Sequence, residues 1–252
     1  MFWKKLFGSS VQAAPVYGIP DGDLVYAVGD IHGRADLLAK LCGLIRRDMA
    51  GREYERATLV FLGDYVDRGF HSREVIEALI SLDIPGVELV YLAGNHEDMM
   101  LRFLDDPADG QMWLGVGGLA TLASYGVFVE EESDFDALLE ASNELASALP
   151  ATHKDFLVGL KEEWRLGDLL FVHAGLRPGV PFAAQRRRDK LGIRREFTDS
   201  NFDFGVRIVH GHTGVRRPVV EQGRIAVDTG AFATGVLTAA VLEKTGVSFL
   251  NT

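Results

Sequence analysis

The chain has 252 residues, 47% of them hydrophobic, and a formal net charge of -10 at pH 7. That length and apolar share suit a globular protein with one sizeable core, and the negative balance argues against a general nucleic-acid binder, because nucleic-acid phosphates repel it. A single cysteine, Cys42, excludes an intrachain disulfide and a thiolate zinc site.

In chain order, Met1–Ser10 combines Phe2, Trp3, Leu6 and Phe7 with two lysines. Its apolar run is too short for a signal-peptide core or a membrane span. Residues 1–20 therefore read as an N-terminal tail and 21–252 as a single domain. Apolar, β-branched-rich runs predict strands at Leu24–Val28, Thr58–Leu62 and Val87–Leu92. Between them Ala35–Ala50 and Ser72–Leu82 carry apolar residues at helical spacing. Strand, helix, strand in alternation implies parallel β-α-β units. From about residue 98 to 166 the pattern turns helical, with candidates at Met112–Tyr125, interrupted by Gly117-Gly118, and at Phe135–Ala148 and Ala151–Leu160. Strands return at Leu169–Val172, Val206–Val209, Ile225–Val227 and Val236–Leu242. The reading is a layered α/β domain with a helical insertion at about 98–166.

Polar residues gather where the strands end. The clusters are Gly29-Asp30-Ile31-His32-Gly33, Gly63-Asp64-Tyr65-Val66-Asp67-Arg68-Gly69, Gly94-Asn95-His96-Glu97, His173-Ala174-Gly175 and His210-Gly211-His212-Thr213. Ligands in open α/β folds bind beyond the carboxyl ends of strands. Each cluster alone has an ordinary explanation: a turn, a helix cap, a hydrogen-bonded core histidine. Five together, all carrying metal-ligand residue types, point to one assembled metal site. His210 reads as a strand residue packed behind that site, and His71 and His153 as surface positions. Arg186-Arg187-Arg188 reads as a solvated loop with some capacity to draw in phosphorylated substrate.

These blocks, in this order and at spacings of roughly thirty residues for the first three, resemble the phosphoprotein phosphatase family of calcineurin-like metallophosphoesterases. The branch is that of the bacterial serine/threonine phosphatases and phage lambda phosphatase. Ile193-Arg194-Arg195-Glu196-Phe197 resembles its segment with a second phosphate-binding arginine, and Asp228-Thr229-Gly230-Ala231 a strand near the domain's end. The resemblance implies a four-layer α/β/β/α sandwich. It implies one divalent cation on Asp30, His32 and Asp64, and another on Asp64, Asn95, His173 and His212. A shared carboxylate offsets the repulsion between cations about 3.5–4 Å apart. The mixed carboxylate, amide and imidazole set suits Mn, Fe or Zn, with Mn expected.

The resemblance further implies in-line attack on phosphorus by a hydroxide bridging the metals. Arg68 and Arg194 would hold the phosphoryl oxygens, although a one-residue slip would exchange Arg194 for Arg195. His96 would be the general acid, oriented by Asp67. The expected partner is a phosphorylated protein or a small phosphoester, and the expected location cytoplasmic. Asp67-Arg68 and Glu97 match the protein-phosphatase forms of their blocks, while Phe70 stands where the family usually has proline. Beside this reading stand a symmetrical bis(5'-nucleosyl)-tetraphosphate hydrolase on the same metal core and a non-catalytic binding module on the same fold.

Overall fold

A computed structural model describes residues 16–252; the segment Met1–Ser10 lies outside the described residues. The first half alternates strictly: β1 (Asp23–Val28), α1 (Ala35–Met49), β2 (Arg56–Phe61), α2 (Ser72–Ile80), β3 (Val87–Tyr91). Strands β1, β2 and β3 pair in parallel. The two helices bury the stripes Leu37, Leu38, Leu41, Ile45 and Val75, Ile76, Leu79 against the sheet, as 3.6-residue spacing requires.

Helices α3 (Asn95–Asp105), α4 (Gly110–Trp113), α5 (Leu119–Ser124), α6 (Phe135–Ala148) and α7 (Ala151–Val158) follow. Residues Leu114–Gly118 between α4 and α5 form a wide π turn, so the expected Met112–Tyr125 helix is broken at its glycines. Met100, Phe103, Trp113, Leu138 and Leu145 join the core beneath α1 and α2, which extends the same helical layer. The helical region is shorter than expected, since β4 (Glu163–Leu166) is a strand, paired antiparallel with β5 (Leu169–Val172).

Then come α8 (Arg187–Gly192), α9 (Arg195–Thr198), β6 (Arg207–His210), β7 (Val219–Val220), β8 (Arg224–Ala226), α10 (Ala231–Thr234), β9 (Thr238–Glu243) and β10 (Gly246–Asn251). One sheet runs β10-β9-β1-β2-β3 and the other β4-β5-β6-β8-β7.

The alternation of side chains across a strand explains the layering. In β1 and β2, Leu24, Tyr26, Leu59 and Phe61 face the helices. Val25, Ala27 and Val60 face the second sheet, meeting Leu169, Phe171, Val209 and Ile225. The outer face of the second sheet, Leu170, Val172 and Ile208, is covered by Ile193 and Phe197 near α8 and α9. The result is four layers, α/β/β/α. Strands buried on both faces read as unbroken apolar runs, and these are the runs legible in the sequence. No helix among the described residues is long and apolar enough to cross a membrane.

Candidate metal centre

Every expected ligand follows the carboxyl end of a parallel strand: Asp30 and His32 after β1, Asp64 after β2, Asn95 after β3, His173 after β5 and His212 after β6. The two sheets bring these ends together. His173 Nδ1, from the second sheet, donates to the Leu62 carbonyl of the first at 2.8 Å. In the other direction, both Asp30 oxygens accept the His212 N–H, each at 3.1 Å.

Asp64 lies at the centre. His32, Asp64 and His96 offer ligand atoms within 4.8 Å of one another, and so do Asp64, His173 and His212. His32 Nε2 is 3.5 Å from one Asp64 oxygen and His173 Nε2 is 3.3 Å from the other. Asn95 Oδ1 is 3.2 Å from His173 Nε2. Asp30 belongs to neither three-residue group: its oxygens are turned to the His212 backbone.

The residues fit divalent cations on three observations. A carbonyl can only accept, so His173 Nδ1 and His32 Nδ1, the latter 2.8 Å from the Val66 carbonyl, must carry hydrogens. That leaves Nε2 as the nitrogen each ring turns toward Asp64, the one that can ligate a metal once it carries no proton. His212 Nε2 is buried and has no hydrogen-bond partner, which is costly for a polar atom unless it serves another purpose. Third, the site attracts positive charge. Burial works against a charged His173, yet the Asp64 carboxylate outweighs it and raises the ring to about 10. Burial lowers His32 and His212, each to about 3, so those rings stay neutral donors. Burial, with the charges of Asp228 and Asp64, raises Asp30.

The backbone is strained where the chemistry gathers. Among the described residues, the non-glycine ones with positive φ are His32, Asp64, Asp67, Arg68, His212 and Lys244. All but Lys244, which turns between β9 and β10, belong to the expected site. Each such conformation costs on the order of 1 kcal/mol or more and persists only when its surroundings enforce it. Glu97 supplies enforcement. Its buried carboxylate accepts the backbone N–H of Asp64 (2.9 Å), Tyr65 (2.7 Å), Val66 (3.2 Å) and Gly94 (2.9 Å). Burial and the Asp64 charge push Glu97 up to about 7, against the pull of His173, His96 and the Tyr65 N–H. Gly94 permits the close approach, since a methyl group there would collide with the Asp64 carboxylate and with Glu97.

On the other side of Asp64, His96 Nδ1 lies 2.6 Å from Asp67 Oδ2. Burial opposes a charged His96, but the carboxylates of Asp64 and Asp67 prevail and raise it. Arg68 donates to His32 Nε2 at 2.8 Å and His96 Nε2 at 3.1 Å, with its guanidinium 4.8 Å from the Phe232 ring centroid. Arg194 precedes α9 and is exposed. After burial and the His173 charge, its own charge helps hold His212 neutral.

Several residues were missed or misread from sequence. Trp113 and Thr121, whose segment resembles one common in bacterial members and reads from sequence as core packing, also reach the site: Trp113 Nε1 donates to Asp67 Oδ2 at 2.8 Å and Thr121 Oγ1 to Asp67 Oδ1 at 2.6 Å. His153, expected at the surface, is 3% exposed and hydrogen-bonded to the Tyr125 hydroxyl at 2.9 Å. The expected surface position of His71 and the packed position of His210 match the structure; His210 sits edge-on to Phe197 with centroids 5.1 Å apart. Arg187 is not a free loop charge but pairs with Asp98 and Glu162. Phe70, beyond Arg68, is exposed.

Two imidazole groups sharing one buried carboxylate, at strand ends of a two-sheet sandwich, define a metal-dependent hydrolase fold. The chain belongs to the calcineurin-like phosphoesterase family, whose profile matches residues 24–224. It is 28% identical over 235 residues to an asymmetrical bis(5'-nucleosyl)-tetraphosphatase, PrpE, of Halalkalibacterium halodurans, covering 84% of this chain and 87% of that one. Among solved structures it resembles a candidate diadenosine tetraphosphatase, with TM-score 0.61, 23% identity and coverage of 94% of this chain and 98% of that one. It also resembles a cold-active protein tyrosine phosphatase, with TM-score 0.60, 19% identity and coverage of 93% and 81%. Those two likenesses are likenesses of fold.

Proposed function

We propose that this metallophosphoesterase is a phosphomonoester hydrolase acting on phosphoserine and phosphothreonine in proteins. The supporting observation is the juxtaposition, around Asp64, of two imidazole ligand groups with the His96–Asp67 pair and Arg68. Asp30, His32 and Asp64 would hold one cation, and Asp64, Asn95, His173 and His212 the other, with manganese the expected metal. When bound, such a pair supplies Lewis acidity and makes hydroxide available near neutral pH for in-line attack.

The chain's own residues do the rest. Arg68 and Arg194 bind the phosphoryl oxygens through charge-assisted hydrogen bonds and stabilise the charge that builds in the transition state. Arg68 now donates to His32 Nε2 and His96 Nε2, so it must swing off those nitrogens when one ligates a cation and the other carries a proton. His96, held by Asp67, gives that proton to the departing alkoxide, whose poor leaving ability demands it.

A second reading, hydrolysis of a dinucleoside tetraphosphate, is favoured by the name of the curated relative, which specifies asymmetrical rather than symmetrical cleavage. The forms of the second and third blocks, Asp67-Arg68 and Glu97, favour the protein-phosphatase reading. One assay separates them. The purified protein, loaded in turn with Mn, Fe or Zn, is offered a phosphoserine peptide, diadenosine tetraphosphate and 4-nitrophenyl phosphate. The first reading expects the peptide to have the highest kcat/KM. Preference for the dinucleotide would reverse the ranking; AMP with ATP marks asymmetrical cleavage, and ADP alone symmetrical. No turnover with any metal would favour the non-catalytic module.

A further inference from the structure

The stretch from Trp113 to Thr121 lies about fifty residues beyond Asp67 and Arg68 in sequence, yet it holds both of them. Asp67 and Arg68 are consecutive residues with φ of 74° and 68°, a conformation that non-glycine residues adopt only under outside constraint. Their backbone N–H groups supply the handles. The Asp67 N–H donates to Thr121 Oγ1 at 2.8 Å and to Ser72 Oγ at 3.0 Å. The Arg68 N–H donates to the Gly117 carbonyl at 3.1 Å.

The side chains are held from the same stretch. Trp113, fully buried against Phe103, points its indole N–H at the Asp67 oxygen that also receives His96 Nδ1. Thr121 caps the other oxygen. The π turn makes this possible. It widens the helix at Leu114–Gly118 and puts Gly117 at φ 121°. A side-chain carbon at Gly117 would lie 2.8 Å from Arg68 Cγ and 2.9 Å from Arg68 N, so only glycine lets the turn press against the arginine. Such π bulges are frequent at functional sites.

We propose that Trp113, Gly117 and Thr121 are positioning residues: Trp113 and Thr121 fix Asp67, and through it the His96 ring, while Gly117 fixes the backbone of Arg68. The insertion thereby controls proton delivery and phosphate binding by separate contacts, without touching the metal ligands. The inference rests on the reading of His96 as acid and Arg68 as phosphate ligand.

The test uses the full chain. Trp113→Phe keeps the ring packing and deletes the N–H donor. Losing one hydrogen bond to a charged acceptor should lower kcat on a phosphoserine peptide by about ten-fold. The loss on 4-nitrophenyl phosphate, whose leaving group needs little protonation, should be smaller, and Mn affinity should not change. Thr121→Val, which preserves shape, should behave the same way and serves if Trp113→Phe folds poorly. Gly117→Ala should instead raise KM and the inhibition constant of inorganic phosphate by roughly ten-fold for both substrates. A readout independent of turnover is the downfield proton signal of the short His96–Asp67 hydrogen bond, which should shift or broaden in Trp113→Phe and not in Gly117→Ala. Equal loss on both leaving groups in Trp113→Phe and Thr121→Val, or a proton signal unmoved in Trp113→Phe, would overturn the proposal. His96→Ala runs alongside: if it shows no leaving-group selectivity, the acid assignment fails, not merely its positioning.

Discussion

Asp64 faces His32 and His173 from opposite oxygens, and neither contact is replaceable by the other. Asp64→Ala should remove manganese from the purified protein, measured by elemental analysis, and abolish cleavage of every phosphoester. Retention of two equivalents of metal by that variant would contradict the shared-carboxylate reading. His96→Ala should keep its metal but lose about 10²–10⁴-fold on alkyl phosphoesters, the usual range for a general acid, and less on aryl ones. Glu97 acts at the same scale by different means. Its carboxylate accepts four backbone N–H groups, and an amide would turn a donor toward two of them. Glu97→Gln should therefore destabilise the fold by about 1–3 kcal/mol in denaturant unfolding and weaken Mn binding in calorimetry. Unchanged binding would show that the Asp64 loop holds its shape unaided.

Among the elements, α7 shows how burial turns a histidine into a reporter. Burial lowers His153 in the folded state, with Glu77 pulling it up and Arg73 down. The unfolded chain therefore binds more protons as pH falls below about 6.5, and the stability of the neutral, buried ring is intact above that pH and lost progressively beneath it. His153→Gln removes this titration while leaving a polar partner for Tyr125. The slope of melting temperature against pH between about pH 7 and pH 5 should be shallower in the variant; parallel slopes would mean that His153 titrates alike in both states. Legibility also divided by element. Strands β1, β2 and β5 were legible because burial on both faces gives continuous apolar runs. Strands β4 and β10 alternate exposed and half-buried residues, and β7 is two residues long. All three lie at sheet edges, where pairing with a neighbour defines a strand more than its own composition does.

For the whole molecule, metal binding and folding share one equilibrium. The expected ligands come from both sheets, so a cation held by them would bind only the folded chain. At a free concentration of about 100 times its dissociation constant, it should stabilise the fold by roughly 2.7 kcal/mol. Manganese should raise the melting temperature of the chelator-treated protein and leave that of Asp64→Ala in place. An equal rise in both would place the binding elsewhere.

The sequence by itself determined the α/β layering, the parallel strands and the chemical kind of each residue set just past a strand end, because these follow from local periodicity and from what a chain must do on leaving a strand. Tertiary structure alone decided that a carbonyl after β2 fixes the tautomer of His173, that Asp30 turns to the His212 backbone, that Trp113 and Thr121 reach back to Asp67, and that His153 is buried. Each of those is a contact between residues far apart in the chain. No local pattern encodes such a contact; it arises only when the packed layers bring two hydrogen-bonding groups within reach and shut water out.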